Sequence, residues 1–325
     1  MVKTGIIGLG RMGRYHLNLN DEMPESDLQM ICDPSDAVRE AVAKNFKYES
    51  TADFHKMLDK VDAITIAAPT KYHYEIAKEC LQAGKHLLVE KPITVNLEEA
   101  TELFEIAEKN NLVLHIGHVE RFNGAVQELK SITENPYLVE SRRVGPYNPN
   151  FKNDSIVLDL MIHDIDIILN MVNRDIIGVS ATGSSILSPT PDLANAAIHF
   201  DGGCVANILV SRVTQKKDRT MGISQEGAYI YLDYTTQDIN IYREAKEGKV
   251  FGDREMKYKN EYIYEKLFVY KDNPLKMEIK HFLECVAGKQ ERKVTVAHEL
   301  RSLKVALKID ELLKQKCDNR LEVTI

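Results

Sequence analysis

Apolar positions along the first 120 residues follow two alternating rhythms. Short β-branched runs ("VKTGIIGLG", "LQMICD", "VDAITIAAP", "KHLLVEKP", "LVLHIGH") take turns with segments of helical period ("RMGRYHLNLN", "DAVREAVAKNF", "YHYEIAKECLQAG", "LEEATELFEIAEKN"). The third run is wholly apolar, as in a strand buried on both faces of a parallel sheet. Gly84 sits where a helix would close on a left-handed residue. Strand and helix in strict turn predict an α/β fold over residues 1–120, a Rossmann-type doubly wound parallel sheet.

Beyond residue 120 the rhythm changes. A helix ("AVQELKSI") and a loop rich in Pro, Asn and Gly ("VGPYNPNFKND") precede strand-like runs ("IIGVSATGSSIL", "NAAIHF", "CVANILVSRVT", "AYIYLDY", "DINIYRE"), with Asp201-Gly202-Gly203 as a turn signal. Two helical segments, "KMEIKHFLECVAG" and "AHELRSLKVALKIDELLKQ", close the chain. Residues 121–325 are expected to form an α+β domain on a mostly antiparallel sheet.

The first candidate chemistry lies between the first strand and the first helix. Gly8, Leu9, Gly10, Arg11, Met12 and Gly13 fit GxGxxG, and Asp33 ends the second strand 20 residues past the last glycine. Gly8 permits a tight turn, Gly10 lets backbone N–H groups approach a pyrophosphate, and Gly13 lets the helix pack on the sheet. Asp33 can accept from ribose hydroxyls and would repel a 2′-phosphate. The expected cofactor is therefore NAD rather than NADP, although Arg11 and Arg39 lie near in sequence.

Two further features carry ionisable groups. "HLLVEKPIT" puts Glu90 and Lys91 at the carboxyl end of a strand, where ligands of open α/β sheets bind; read alone, Lys91-Pro92 is a surface lysine before a turn. "VLDLMIHDIDIIL" (157–169) is nearly all aliphatic yet holds Asp159, His163, Asp164 and Asp166. At about 100° per residue, Asp159, His163, Asp166 and Asn170 form a narrow polar stripe without the Lys and Glu of a solvated face. Asp164 points to the apolar side, where a buried charge needs a partner.

Composition narrows the setting. A formal net charge of −7 gives no general attraction to nucleic acid or an anionic membrane. The five cysteines (Cys32, Cys80, Cys204, Cys285, Cys317) lack paired spacing and read as reduced thiols of a cytoplasmic protein. No signal peptide is expected ahead of the glycine loop. His115, His118, Asp159 and His163 lack zinc-site spacing, so no metal is expected.

The glycine loop, "AAPTKYHYEIA" leading to "EKP", the Asp159-x-x-x-His163 pair and "PLKMEIKHFLECVAG" resemble the Gfo/Idh/MocA oxidoreductase family over essentially the whole chain. The resemblance implies a Rossmann domain, a C-terminal domain with a large open sheet used in oligomerisation, and a nicotinamide cofactor. It places Lys91, Asp159 and His163 in catalysis and Pro69, Thr70 and His73 beside the cofactor. Members often carry glycines before the aspartate and one midway to the histidine; this chain has "SIVL" and Met161 there. A narrower likeness, through "HVERFNGAVQELK", "VLDLMIHDIDIIL" and "SRVTQKKDR", is to members that oxidise UDP-N-acetylglucosamine at its 3-position.

The expected reaction is hydride transfer between a sugar carbinol carbon and nicotinamide. His163 takes the hydroxyl proton, Asp159 orients it, and Lys91 stabilises alkoxide charge; the mirror assignment has Lys91 as base. Arg121 is expected to line the cleft and, with Arg142, Arg143, Arg212, Lys216 and Lys217, to offer cations to a substrate diphosphate. The alternatives are a dehydrogenase of a free sugar or inositol, and a non-catalytic NAD(H)-binding regulator. An open sheet with an apolar face is rarely left wet, so a homodimer or homotetramer through the C-terminal sheet is expected.

Overall fold

The computed structural model describes residues 1–244, 250–251, 256–257 and 262–318. The chain divides into two compact units, residues 1–122 with 273–307, and residues 123–272 with 308–325. Residues 273–307 are a correction to the sequence reading, which placed them in the second domain.

The first unit is a six-stranded sheet, β1 (Val2–Ile7), β2 (Ser26–Cys32), β3 (Glu49–Thr51), β4 (Ala63–Ile66), β5 (His86–Glu90) and β6 (Leu114–Gly117). Its order is β3-β2-β1-β4-β5-β6 and every pairing is parallel. The chain leaves β1 for opposite sides of the sheet at β2 and β4, which makes the carboxyl end of β1 the ligand crevice of a doubly wound fold. The intervening helices are α1 (Arg11–Glu22), α2 (Asp36–Ala43), α3 (His73–Gln82) and α4 (Leu97–Lys109). Asn96 starts α4 by accepting from the N–H groups of Glu98 and Glu99.

Alternation along β4, β5 and β6 sorts side chains between two faces. Ile64, Ile66, Leu87, Val89, Leu114 and Ile116 pack with Leu81, Leu103 and Phe104. Ala63 and Leu88, with Val2, meet Ile279, Phe282 and Leu283 of α7 (Pro274–Val286). These contacts are the reason α7 belongs to the first unit. Each fully buried aliphatic or aromatic side chain contributes about 1.5–3 kcal/mol, and Asn273 with Pro274 caps the start of the helix.

The second unit is built on eight strands: β7 (Leu138–Val144), β8 (Ile176–Ser184), β9 (Leu193–Phe200), β10 (Val205–Ser211), β11 (Asp218–Gln225), β12 (Ala228–Asp233), β13 (Asp238–Glu244) and β16 (Tyr262–Leu267). Two short strands, β14 (Val250–Phe251) and β15 (Met256–Lys257), pair separately. The order is β16-β13-β12-β11-β7-β10-β9-β8, antiparallel except for β7 with β10. Ala196, Ile198, Ala206, Ile208, Ile230 and Ile241 are buried on one side of the sheet. Helices α5 (Gly124–Ile132) and α6 (Ile162–Val172) also belong to this unit, and α8 (Val296–Asp318) ends the described chain. Gly202 and Gly203, both at positive φ, make the predicted turn between β9 and β10.

Six strands go unread in the sequence: β3, β7, β11, β14, β15 and β16. β7, "LVESRRV", hides behind its charges, because Arg143 is buried in the sheet. The predicted helix over 157–169 is two structures, a π-turn at Val157–Met161 and then α6. The four cysteines with described side chains are buried free thiols, and Cys317 lies outside them. Among the described residues no helix is long and apolar enough to cross a membrane.

Candidate active site

The first unit supplies a dinucleotide cradle at the carboxyl end of β1. Gly8 sits at φ 90°, and a Cβ there would lie 2.6 Å from the Ala68 nitrogen. At Gly13 a Cβ would meet the Gly8 carbonyl oxygen at 1.8 Å, so α1 can start this close to the strand only without a side chain. Gly10 faces open space, and α1 begins with no side-chain cap, leaving its first N–H groups for an anion. Asp33 is held ready: its Oδ2 accepts from the Leu9 N–H and its Oδ1 from the Ser35 N–H, both at 2.9 Å. Arg39, near Asp33 in sequence, donates to the Asp33 carbonyl and the Asp36 carboxylate. These residues fit a dinucleotide whose ribose meets Asp33 and whose pyrophosphate meets the glycine loop.

The loop after β4 carries Pro69 and Thr70 at the start of a single 3-10 turn that leads into α3. His73 is buried; its Nε2 lies 2.7 Å from the Ala68 oxygen and its Nδ1 2.9 Å from the Pro92 oxygen. Burial lowers its pKa against the opposing effect of those hydrogen bonds. A neutral ring has one N–H, so it serves one carbonyl at a time. His73 therefore lies between the loop after β4 and the Lys91–Pro92 peptide after β5, within hydrogen-bond reach of both.

Glu90 is buried beside Lys91, and its Oε1 lies 2.7 Å from Nε2 of the fully buried His16 on α1. Burial alone would raise the Glu90 carboxyl, but the His16 hydrogen bond and the charges of His16, Lys91 and His73 outweigh it and hold the pKa below its usual value. Gly117 leaves room for this group: a Cβ there would lie 3.2 Å from Glu90 Oε2. Sequence reasoning missed His16. The available signal was its place on the buried Gly13-His16-Leu17-Asn20 face of α1, where histidine and asparagine replace apolar residues.

Arg121 is not open to a ligand along its fork. Nη1 and Nη2 each donate at 2.7 Å to the two oxygens of the buried Glu299.

In the second unit, Asp159 lies on the π-turn and His163 on the first turn of α6, both half-buried among Val157, Leu158, Met161, Ile162 and Ile165. π-turns insert an extra residue and recur at functional positions, so the regular 100° step does not hold between Asp159 and His163. Met161 is buried. The Ser155 hydroxyl donates to the Asp310 carboxylate, and the Leu158 N–H donates to Ser155 Oγ at 3.3 Å, which anchors the turn. Asp166 is buried, and Asn170 Nδ2 donates to its backbone carbonyl at 2.8 Å and to its Oδ1 at 3.4 Å. Asp164 is buried in a bidentate pair with Arg143 of β7, at 2.7 and 3.1 Å.

Arg212 is likewise committed, to Asp192 and to the carbonyls of Phe151, Asp154 and Pro191. Asp192 Oδ2 also accepts from the N–H groups of Ile186, Leu187 and Ser188. Burial opposes ionisation of Asp192, yet these hydrogen bonds pull its pKa down to about 2. Arg142 pairs with Asp218 at 3.0 Å, and Lys216 and Lys217 are exposed.

A parallel sheet with this glycine loop, an acid closing β2, and a lysine closing β5 define an NAD-binding Rossmann oxidoreductase. Residues 2–118 match the profile of the oxidoreductase family with an NAD-binding Rossmann fold, and residues 121–231 match the GFO/IDH/MocA C-terminal domain. The UDP-N-acetylglucosamine 3-dehydrogenase of Acidithiobacillus ferrooxidans is 31% identical over 88% of this chain and 89% of its own. A solved structure of that enzyme superposes with a TM-score of 0.87 at 29% identity, covering 97% of this chain and 98% of the other. The myo-inositol 2-dehydrogenase of Thermotoga maritima is 25% identical over the full length of both chains. The chain belongs to the GFO/IDH/MocA oxidoreductase family and is a dehydrogenase with NAD as cofactor.

Proposed function

We propose that this dehydrogenase transfers hydride between nicotinamide and a ring carbinol carbon of a nucleotide sugar, with the 3-position of UDP-N-acetylglucosamine as the leading substrate. The likeness that carries this reading is the one to the A. ferrooxidans 3-dehydrogenase, which extends over almost the whole of both chains. When bound, the nicotinamide supplies a two-electron hydride acceptor or donor. His163 takes the hydroxyl proton as the C–H bond breaks, and Asp159 orients the imidazole and favours its charged form. The Lys91 ammonium donates to the same oxygen and stabilises its developing negative charge. Glu90 and His16 act one step away, setting the carboxylate beside Lys91.

A second reading, oxidation of a free inositol or sugar, gains support from the arginines. Arg121, Arg143 and Arg212 each direct their forks at carboxylates of the chain itself, and a neutral polyol needs no cation cluster. Following reduced-nicotinamide absorbance over UDP-sugars, free sugars and inositols separates the two. Turnover of UDP-N-acetylglucosamine with a kcat/KM at least roughly 100-fold above that for inositols is the expected result. The reverse ranking would replace the first reading by the second, and tight NAD binding without turnover of any carbinol would leave a regulator.

The same proposal includes a homodimer or homotetramer through the second unit's sheet. Tyr229, Tyr242 and Tyr264 face one another in register across β12, β13 and β16, with ring centroids 6.1 and 5.4 Å apart. Tyr262, Ile263 and Tyr264 are exposed in the single chain, and such rows of aromatic rings are characteristic of interface cores. Light scattering after size exclusion should return two or four times the 36.9 kDa chain mass. A monomer at micromolar concentration would remove this part of the reading.

A further inference from the structure

We propose that His115, His281 and Cys285 form a site for a borderline-soft divalent cation, zinc in the first instance, within the first unit. The sequence expectation of no metal rested on His115, His118, Asp159 and His163; the fold instead brings His115 to two residues more than 160 positions away. His115 projects from β6 on the face that packs against α7, alongside Leu88, its partner in the strand register. His281 and Cys285 are one turn apart on α7, an i, i+4 pair on one helix face.

All three are at least nine-tenths buried, and their ligand atoms lie within 4.8 Å of one another. Cys285 Sγ is 3.6 Å from His281 Nε2. A tetrahedral ion with Zn–N near 2.05 Å and Zn–S near 2.3 Å spaces such atoms about 3.3–3.6 Å apart, so one edge already has the right length and the others close by about 1 Å. The two imidazoles face each other, with ring centroids 5.4 Å apart. Among the described residues no hydrogen-bond partner reaches His115 Nε2, an unsatisfied buried nitrogen of the kind a metal completes. His281 has an orienting partner: its Nδ1 lies 3.0 Å from Oε1 of Gln290. With that nitrogen donating, Nε2 keeps its lone pair for a cation.

The protonation states agree with this geometry. Burial, with Arg292, His281 and Arg121 adding to it, holds His115 down to about 3, and burial also lowers His281, so both rings are neutral ligands near pH 7. Burial raises the Cys285 thiol while Arg292 opposes that rise. Binding therefore releases one proton, as Cys–SH and M2+ become Cys–S−–M2+ and H+. Arg292 repels the cation but favours the thiolate. The exposed Gln290 borders the site, and a water would take the fourth position.

The test uses the full chain, stripped with a chelator and titrated with cobalt(II) and then zinc(II). Wild type should take up one equivalent of cobalt with a thiolate-to-metal charge-transfer band, and zinc should displace it and raise Tm. Cys285→Ser and His115→Gln, each checked for native circular dichroism and NAD binding, should lose the band or weaken zinc affinity by roughly 100-fold or more. Absence of the band in wild type, or its persistence in Cys285→Ser, would overturn the proposal. If both variants unfold, a zinc-dependent rise in wild-type Tm with one equivalent bound upholds the site, and no rise refutes it.

Discussion

Lys91→Met is expected to lower kcat by roughly 1,000-fold while leaving NAD affinity within about threefold of wild type. The ammonium is the group proposed to meet developing alkoxide charge, whereas the cradle that holds the dinucleotide, Gly8 to Gly13 with Asp33, is built without it. Methionine keeps most of the side chain's length and apolar stem and removes the charge and its donors. His163→Asn should cause a loss of the same order. The two variants differ in their pH dependence: if His163 is the base, the acidic limb of the kcat profile survives in Lys91→Met and disappears in His163→Asn. The opposite pattern would exchange their roles. Wild-type kcat in both variants, on a substrate the enzyme demonstrably turns over, would remove both residues from the reaction.

How much of this was legible follows from the range of each interaction. The glycine loop was readable because its constraint is steric and local, as the 1.8 Å approach of a Gly13 Cβ to the Gly8 oxygen shows. Asp33 was readable because strand length fixes its distance along the chain. Lys91, Asp159 and His163 came from motif likeness, and periodicity alone would have put the helix in the wrong form, since the π-turn at Val157–Met161 breaks the 100° step. The partners were not readable. Glu90 finds His16 74 residues back, and Arg121 finds Glu299 178 residues ahead. No local pattern marks either. This also changes the reading of Arg121: the sequence offered a cation for substrate, and the fold gives that cation a carboxylate. β7 escaped notice for a related reason, since an arginine is a poor strand-core residue until its buried counter-charge is known.

That counter-charge gives the largest expected effect on stability. Asp164→Asn keeps the shape of the side chain but removes the carboxylate charge that faces the buried Arg143 guanidinium, with the side chains 2% and 0% exposed. Breaking such a pair costs about 3–5 kcal/mol, a third or more of the total stability of many domains. At about 2–4 °C per kcal/mol for a unit of this size, the transition that reports the second unit should fall by about 6–20 °C. The stacking of Arg143 over the Tyr234 ring, 4.9 Å to its centroid, survives in the variant and works toward the lower figure. Arg143→Met with Asp164→Leu should recover most of the loss, because apolar groups of similar volume carry no desolvation cost. A Tm within 2 °C of wild type for Asp164→Asn alone would show that the pair is dispensable. Set beside His163→Asn, the experiment resolves two neighbours in one helical turn: position 163 should lose rate at constant Tm, and position 164 should lose Tm first. The sequence placed four ionisable groups in one apolar segment; the buried arginine on β7 is what makes one of them structural, and its neighbour is the one proposed for chemistry.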